Sequence, residues 1–560
     1  MHYLDYVSIL VFTLLVLITG SAFAKAGGKD MKSFFAAGGA IPWWMSSLSL
    51  FMGFFSAGTF VVWGSIAYSS GMVALSIQWT MAMAGFIVGF VIAPRWHKTH
   101  SLTAAEFITH RLSPNVQRIY TYIFLFISLF SSGAFLYPVA KIVSVATDFN
   151  LYYCILILGI VSIIYVSLGG LWAVVVTDVL QFIILVSSVI IVIPLAFDKI
   201  GGVDNFFGQL PEGFLNLTNQ EYTLGFILAF GFYNLIFLGG NWAYVQRYTS
   251  VKTHRDAKKV GWMFGFLYII SPILWMLPPM IYRIYNPSLM GLENEGAYLL
   301  MCKMALPVGM LGMMLGGMVF ATASSLNATL NISSGVFTND IYRRIRPNKT
   351  DQELIKVARF STIGFGVLGV IVAMLIPSMG GIVNVVITLG ALTGVPLYLP
   401  IIWTLFSKRQ NARSVITVTL ISLLVNALLK FVVPLFGFSL NRTEETVIGV
   451  SLPVILLTLY EIYYKVKNRV DPKYLEYAKR EKERRILREL ESTKEQLANE
   501  KKSNQYSIMV MGNAIAASGV ITGIIGILAS SGKYVILPIA VLLIILGLGL
   551  RINNKKDRNN

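Results

Sequence analysis

Long apolar runs separated by short polar gaps repeat along almost the whole chain. A helix needs about 20 apolar residues to cross the hydrocarbon core of a bilayer. On that rule the pattern predicts about fifteen spanning helices. They fall at 6–24, 42–68, 71–94, 119–145, 152–168, 170–195, 224–245, 260–282, 306–338, 360–377, 381–406, 414–436, 446–465, 507–530 and 534–551. The fifth and sixth are divided only by Gly169 and Gly170. Residues 466–505 break the pattern, with Glu, Lys and Arg at helical spacing, as in Glu481 and Arg485. That stretch predicts a solvated, charged cytoplasmic helix linking the last two spans to the rest.

Composition agrees with a lipid environment. Of 560 residues, 56% are hydrophobic and 13% charged, where a soluble domain carries nearer about 25% charged. Mean hydropathy is +0.69. The net charge of +18 would suggest nucleic acid in a soluble protein. Here the cations sit in the gaps between apolar runs and report topology instead, with positive loops inside. Residues 246–259 hold Arg247, Lys252, Arg255, Lys258 and Lys259, and 339–359 hold Arg343, Arg344, Arg346, Lys349, Lys356 and Arg359. On the other side 196–223 hold only Lys199, and 283–305 only Arg283 and Lys303. The alternation puts Lys25, Lys29, Lys32, Arg95, Lys98, Lys408 and Arg409 inside as well. The amino terminus is then outside and the carboxyl terminus cytoplasmic, in a multi-pass protein of a bacterial inner membrane. Cys154 and Cys302 are far apart and imply no disulfide framework. Met1 to Asp5 carries no cationic stretch, so the first apolar run is expected to be a retained helix.

Two spans are interrupted. The second contains Leu50-Phe51-Met52-Gly53-Phe54-Phe55-Ser56-Ala57-Gly58-Thr59, and the seventh Phe237-Leu238-Gly239-Gly240-Asn241-Trp242. A broken helix frees backbone groups that lipid cannot satisfy, so they must face protein or a wet cavity. Paired breaks five spans apart fit two five-helix repeats of inverted topology, with the binding site between them. Glycines alone serve tight helix packing equally well. Ser56, Thr59, Asn234 and Asn241 nearby point to a cavity.

The ninth span carries Ala321-Thr322-Ala323-Ser324-Ser325-Leu326-Asn327-Ala328-Thr329. Sodium is a hard cation that takes oxygen ligands, and Ser324 lies about one turn after Ala321, so a carbonyl and a hydroxyl can converge on one ion. Lone membrane serines more often bond their own helix. Asp178 stands in an otherwise apolar span, where a carboxylate costs at least ~2.5 kcal/mol. It is a candidate site residue with a cation as partner; the alternative is a helix cap near the interface.

These features together resemble the sodium/solute symporter family, of the bacterial sodium-coupled sugar and sialic-acid type. The likeness rests on Gly169-Gly170-Leu171 with Thr177-Asp178-Val179-Leu180-Gln181, and on Tyr244-Val245-Gln246-Arg247-Tyr248. It rests also on Ser324-Ser325 with Asn331 and Asn339-Asp340-Ile341-Tyr342, and on Gly38-Gly39 with Pro42-Trp43-Trp44. It covers roughly residues 1–465 and implies an all-α integral membrane protein with the inverted five-helix repeat of the leucine-transporter type. In the family, backbone carbonyls of the first core helix and a carbonyl and two hydroxyls of the eighth hold sodium. On this chain those are Met52 and Phe55, then Ala321, Ser324 and Ser325. Sialic-acid-type members hold a second ion near the equivalent of Asp178, with hydroxyls at positions matching Asn327 and Ala328; Ala328 offers no ligand. Substrate contacts map onto Phe54, Ser56, Thr59, Gln78 and Asn234, with an aromatic inner gate at Phe237. The arginine that clamps a carboxylate in sialic-acid members is absent from Ser131-Ser132-Gly133, and Lys141 lies further along.

The function expected is sodium-coupled symport of a small polar solute, favoured to be a neutral sugar or polyol. The alternatives are uptake of an organic acid such as sialic acid, or a non-transporting sensor. An enzyme is disfavoured: no histidine falls in a predicted span and no HExxH motif occurs. No ring of repeated filter segments suggests a channel. Sodium is the coupling ion expected, with no further cofactor; solute, sodium and bilayer are the partners, not nucleic acid. The layout read is a leading helix (1–30), the transport core (31–410), two more helices (411–465), the charged linker (466–505), and a closing pair with a basic tail (506–560).

Overall fold

The computed structural model describes residues 1–24, 41–101, 103–165, 171–348, 350–491, 494–529 and 531–559. These residues are helical apart from connections and one isolated bridge between Ile41 and Val251. Helix α1 is Tyr3–Ala24. A broken pair follows, α2 (Trp43–Phe54) and α3 (Thr59–Ser70). Then come α4 (Met72–Lys98), α5 (Pro114–Thr147), α6 (Leu151–Tyr165) and α7 (Leu171–Lys199). A second broken pair, α8 (Leu224–Gly240) and α9 (Trp242–Thr249), opens the next series. It continues with α10 (His254–Tyr285), α11 (Met310–Val336), α12 (Asp351–Leu375) and α13 (Gly381–Thr404). The chain closes with α14 (Ala412–Phe436), α15 (Arg442–Val466), α16 (Pro472–Glu491), α17 (Lys494–Leu528) and α18 (Lys533–Asn559).

Among the described residues ten helices are long and apolar enough to cross a membrane, or twelve if each broken pair is one span. Shorter apolar stretches lie in α1, α6 and α11, at Tyr3–Val16, Leu151–Ile160 and Met310–Val319. Both broken pairs bend by 57°. The break expected at Gly169 and Gly170, the basic residues Lys25, Lys29 and Lys32, and Gly38-Gly39 lie outside the described residues. The expected span 507–530 is the second half of a longer helix, α17, which starts within the charged stretch.

Glycines decide how closely the core helices approach. A Cβ on Gly85 would sit 2.7 Å from the Gly265 nitrogen, and one on Gly261 2.5 Å from Gly89 Cα. Helices α4 and α10 therefore touch backbone to backbone, as small residues allow in membranes. Gly239 and Gly240 serve the same end, against Ile92 and Tyr398. The second break falls one residue later, at Asn241, where the backbone turns extended (φ −62°, ψ 131°). The Asn241 side chain accepts from Ala243 N at 3.0 Å and caps α9, the usual role of asparagine at a helix start.

Two contacts tie outlying helices to the core. Asp5 of α1 accepts from the backbone N–H groups of Gly309 (2.8 Å) and Gly312 (3.2 Å), capping the start of α11. A carboxylate there satisfies orphan donors and faces the positive end of the helix dipole. At the other end of the chain, fully buried Arg111 donates to Asp471 Oδ2 (2.7 Å) and to the carbonyls of Ser407 and Gln410. It pins the entry to α16.

The seat of α1 is testable. Removing the cap with Asp5→Ala is expected to cost about 1 kcal/mol. Gly312→Val must displace α1, because a Cβ there would lie 2.0 Å from the Asp5 carbonyl oxygen. Thermal unfolding in detergent is expected to fall further for Gly312→Val than for Asp5→Ala; wild-type stability in the valine variant contradicts this packing.

Candidate functional site

The first break is a problem of hydrogen-bond accounting. In an unbroken helix the carbonyls of Met52, Gly53, Phe54 and Phe55 would each take the N–H four residues on. Instead Ser56 N bonds the Thr59 hydroxyl (3.3 Å), Ala57 N the Thr322 hydroxyl (2.8 Å) and Gly58 N the Ser56 hydroxyl (3.2 Å). Thr59 N turns back to the Ser56 carbonyl (2.9 Å). Two of the freed carbonyls gain side-chain donors, Gly53 from Tyr244 (3.3 Å) and Phe54 from Thr59 (3.2 Å). The carbonyls of Met52 and Phe55 are left without their helical donors. These are the two oxygens that the sequence resemblance assigns to sodium.

A cavity of about 300 Å³ opens beside this break. Met52, Phe54, Ser56, Thr59, Gln78, Asp178, Asn234, Phe237 and Ser325 all line it. Phe55 and Ala321 do not, and both are buried. The Ser325 hydroxyl points along its own helix towards the Ala321 carbonyl, at 3.5 Å. Ser324 belongs to the same helix, but its side chain and those of Asn327 and Ala328 fall outside the described residues. The oxygens on the two elements are carbonyls and hydroxyls, the ligand type of a hard cation. Among the described residues no group of three or more His, Cys, Asp or Glu could hold another metal.

Apart from Asp178 and Arg247, the polar residues lining the cavity are uncharged hydroxyls and amides. Asn234 Nδ2 donates to Thr80 (2.8 Å), which fixes the amide's orientation. Gln78 lines the cavity and is buried, and among the described residues its Nε2 finds no partner, an amide donor left unsatisfied. Phe237 lies within an aromatic cluster, its ring centroid 5.8 Å from Phe54, 5.6 Å from Tyr244, 5.6 Å from Tyr398 and 5.4 Å from Tyr233. Phe54 stacks on Tyr244 at 4.3 Å. Tyr233 in turn sits in a notch of α13 that glycine keeps open: a Cβ on Gly394 would lie 2.1 Å from its ring.

Asp178 has a protein cation beside it. Arg247 Nη2 lies 3.9 Å from its carboxylate, and Ser49 joins the two, donating to Asp178 (2.6 Å) and accepting from Arg247 Nε (2.9 Å). Asp178 is buried and Arg247 nearly so, with side-chain exposures of 6% and 11%. Sequence reasoning counted Arg247 among the loop charges that set topology. The signal for its inward position was the Tyr244–Tyr248 stretch, which enters the membrane as α9. Tyr233, Tyr244 and Tyr398 were missed because a tyrosine in an apolar run gives no sign of which way it faces. Lys141, the nearest cation on α5, is not at the cavity; it lies 4.0 Å from Glu295. Glu295 also accepts from the Tyr137 hydroxyl (2.8 Å) and Ile382 N (3.0 Å). Burial pushes the Glu295 carboxyl up, while those two hydrogen bonds and Lys141 pull it down. Ser131 reaches the cavity, but no arginine comes from α5.

A model of the sodium:solute symporter family matches residues 34–421, both broken pairs included. The chain belongs to the sodium:solute symporter family. It couples sodium to the movement of a small solute and is not an enzyme. Among relatives of this symporter, the sodium/glucose cotransporter of Vibrio parahaemolyticus is 28% identical over 418 residues, 68% of this chain and 76% of that one. The sodium/sialic acid symporter NanT of Aliivibrio fischeri is 24% identical over 427 residues, covering 73% and 84%. The symporter's fold matches the substrate-bound, outward-open structure of a sodium-coupled sialic acid symporter, with a TM-score of 0.68 over 82% of this chain and 98% of that one at 22% identity. This is the leucine-transporter-type architecture.

The Asp178–Arg247 pairing predicts a non-additive stability effect. Arg247→Met strands a buried carboxylate and is expected to cost about 3–5 kcal/mol. Adding Asp178→Asn removes that charge and is expected to restore most of the loss. Thermal unfolding of the purified single and double variants measures it; an unrelieved loss in the double variant contradicts the pairing.

Proposed function

We propose that this symporter takes up a neutral, polyhydroxylated solute, a sugar or polyol, together with sodium by alternating access. The observation that carries the reading is the charge balance of the cavity. Its only charged lining residues among those described are Asp178 and Arg247, and they face each other. A carboxylate substrate would lose its hydration with no unpaired cation to meet it. A sugar needs hydrogen bonds alone, which Ser56, Thr59, Gln78 and Asn234 supply as hydroxyl and amide donors and acceptors. Phe54 and the gate Phe237 add flat apolar faces for the carbon side of a ring.

In this reading sodium sits between the carbonyls of Met52, Phe55 and Ala321 and the hydroxyls of Ser324 and Ser325. Asp178 serves a second ion by exchanging Arg247 for it. That exchange also supports a second reading: Arg247, once released, would hold a carboxylate, as the likeness to sialic acid symporters suggests. The three shorter apolar helices complete fifteen spans with an outer amino terminus and a cytoplasmic carboxyl terminus, in a bacterial inner membrane. The transport core is 31–410, flanked by the leading helix at 1–30 and, after the core, the pair at 411–465, the linker at 466–505 and the closing pair at 506–560.

Competition separates the two solute classes. With a tracer found by screening uptake in cells that make the protein, unlabelled neutral sugars and polyols are expected to compete and sialic acid and other carboxylates are not. The reverse order contradicts the proposal and assigns Arg247 to the substrate.

A further inference from the structure

Of the amides freed at the first break, one is served from outside the segment. Ser56 N and Gly58 N are bonded by hydroxyls of residues 59 and 56, within the same turn. Ala57 N goes instead to Thr322, a residue of α11, at 2.8 Å. Ala57 is fully buried and Thr322 is 1% exposed. The same Thr322 hydroxyl donates back to the Met318 carbonyl at 2.9 Å. Its donor and one acceptor position are both used, so its orientation is fixed. Thr322 follows Ala321 directly and lies within a turn of Ser325.

The segment that Thr322 holds carries two kinds of group. Its start offers the carbonyls of Met52 and Phe55, which lack their helical donors; its other residues, Ser56 and Thr59, face the solute cavity. We propose that Thr322 is a positioning residue for sodium coupling: its hydroxyl sets the register of residues 55–58 against α11, so that the two halves of the sodium site meet. The inference rests on the sodium site proposed above. Valine has the same shape and cannot accept from Ala57 N, so that buried amide loses its partner and the segment shifts to find another. Serine keeps the hydroxyl and restores the link.

The test needs no knowledge of the solute. Sodium chloride is titrated into the purified protein at constant ionic strength with potassium chloride, and the unfolding temperature is followed. Wild type is expected to be stabilised by sodium and not by potassium. Thr322→Val is expected to need about tenfold more sodium for half of the effect, the scale of one lost hydrogen bond. Thr322→Ser is expected to stay within about twofold of wild type, well under that scale. A lower unfolding temperature in potassium with an unchanged sodium midpoint means a merely structural role and overturns the proposal. If Thr322→Val does not fold, Thr322→Ala takes its place, and alanine titrating like serine overturns it. Ser325→Ala separates the two levels. If Ser325→Ala is shifted and Thr322→Val is not, the positioning role fails and the sodium site stands. If Ser325→Ala titrates like wild type, the sodium site fails and the proposal falls with it.

Discussion

A peptide group in hydrocarbon has to be hydrogen-bonded by protein, and the site follows from where this chain breaks that pattern. The turn from Phe55 to Gly58 interrupts a span, and side-chain oxygens from Ser56, Thr59 and Thr322 take the freed amides. Tyr244 and Thr59 take two of the freed carbonyls. What remains, the oxygens of Met52 and Phe55, is a pair of strong dipoles with no helical donor; Met52 lines the cavity and Phe55 is buried. A dehydrated cation is the partner such oxygens suit best. The second break matters differently: at Asn241 the chain is capped and redirected, which swings Tyr244 and Arg247 into the same cavity.

Arg247 and Asp178 follow from the same constraint applied to charge. Neither can be buried alone without a large penalty, and together with Ser49 they satisfy each other. The pair joins α7 to α9 and shares Ser49 of α2, so one polar cluster holds three helices together. The aromatic cluster of Phe54, Phe237 and Tyr244 lies beside it and adds packing without charge. The result is a cavity whose walls are neutral although its lining contains two ions.

Much of this was readable in the chain. Apolar run length located the helices because a bilayer imposes it, and the glycine and hydroxyl interruptions located both breaks. Ser56, Thr59, Gln78, Asn234 and Phe237 line the cavity, since a broken helix has few other places to put polar groups, whereas Phe55 and Ala321 do not. Direction was what the pattern could not supply. Arg247 was read as a loop charge since its neighbours are basic, and its burial depends on where α9 turns after Asn241. Thr322 looked like one more small residue in a hydroxyl-rich turn, since its contact with Ala57 lies 265 positions away in sequence. Gly239 and Gly240 were read as part of the break, whereas they serve close packing and the turn follows them.

The central claim is that the cavity beside the first break moves a neutral solute only with sodium. Uptake of labelled sugars and polyols into liposomes by the purified protein tests it directly. The account predicts accumulation above the outside concentration under an inward sodium gradient, and simple equilibration when sodium is equal on both sides. The same accumulation with sodium equal on both sides, or under a potassium gradient, would contradict it.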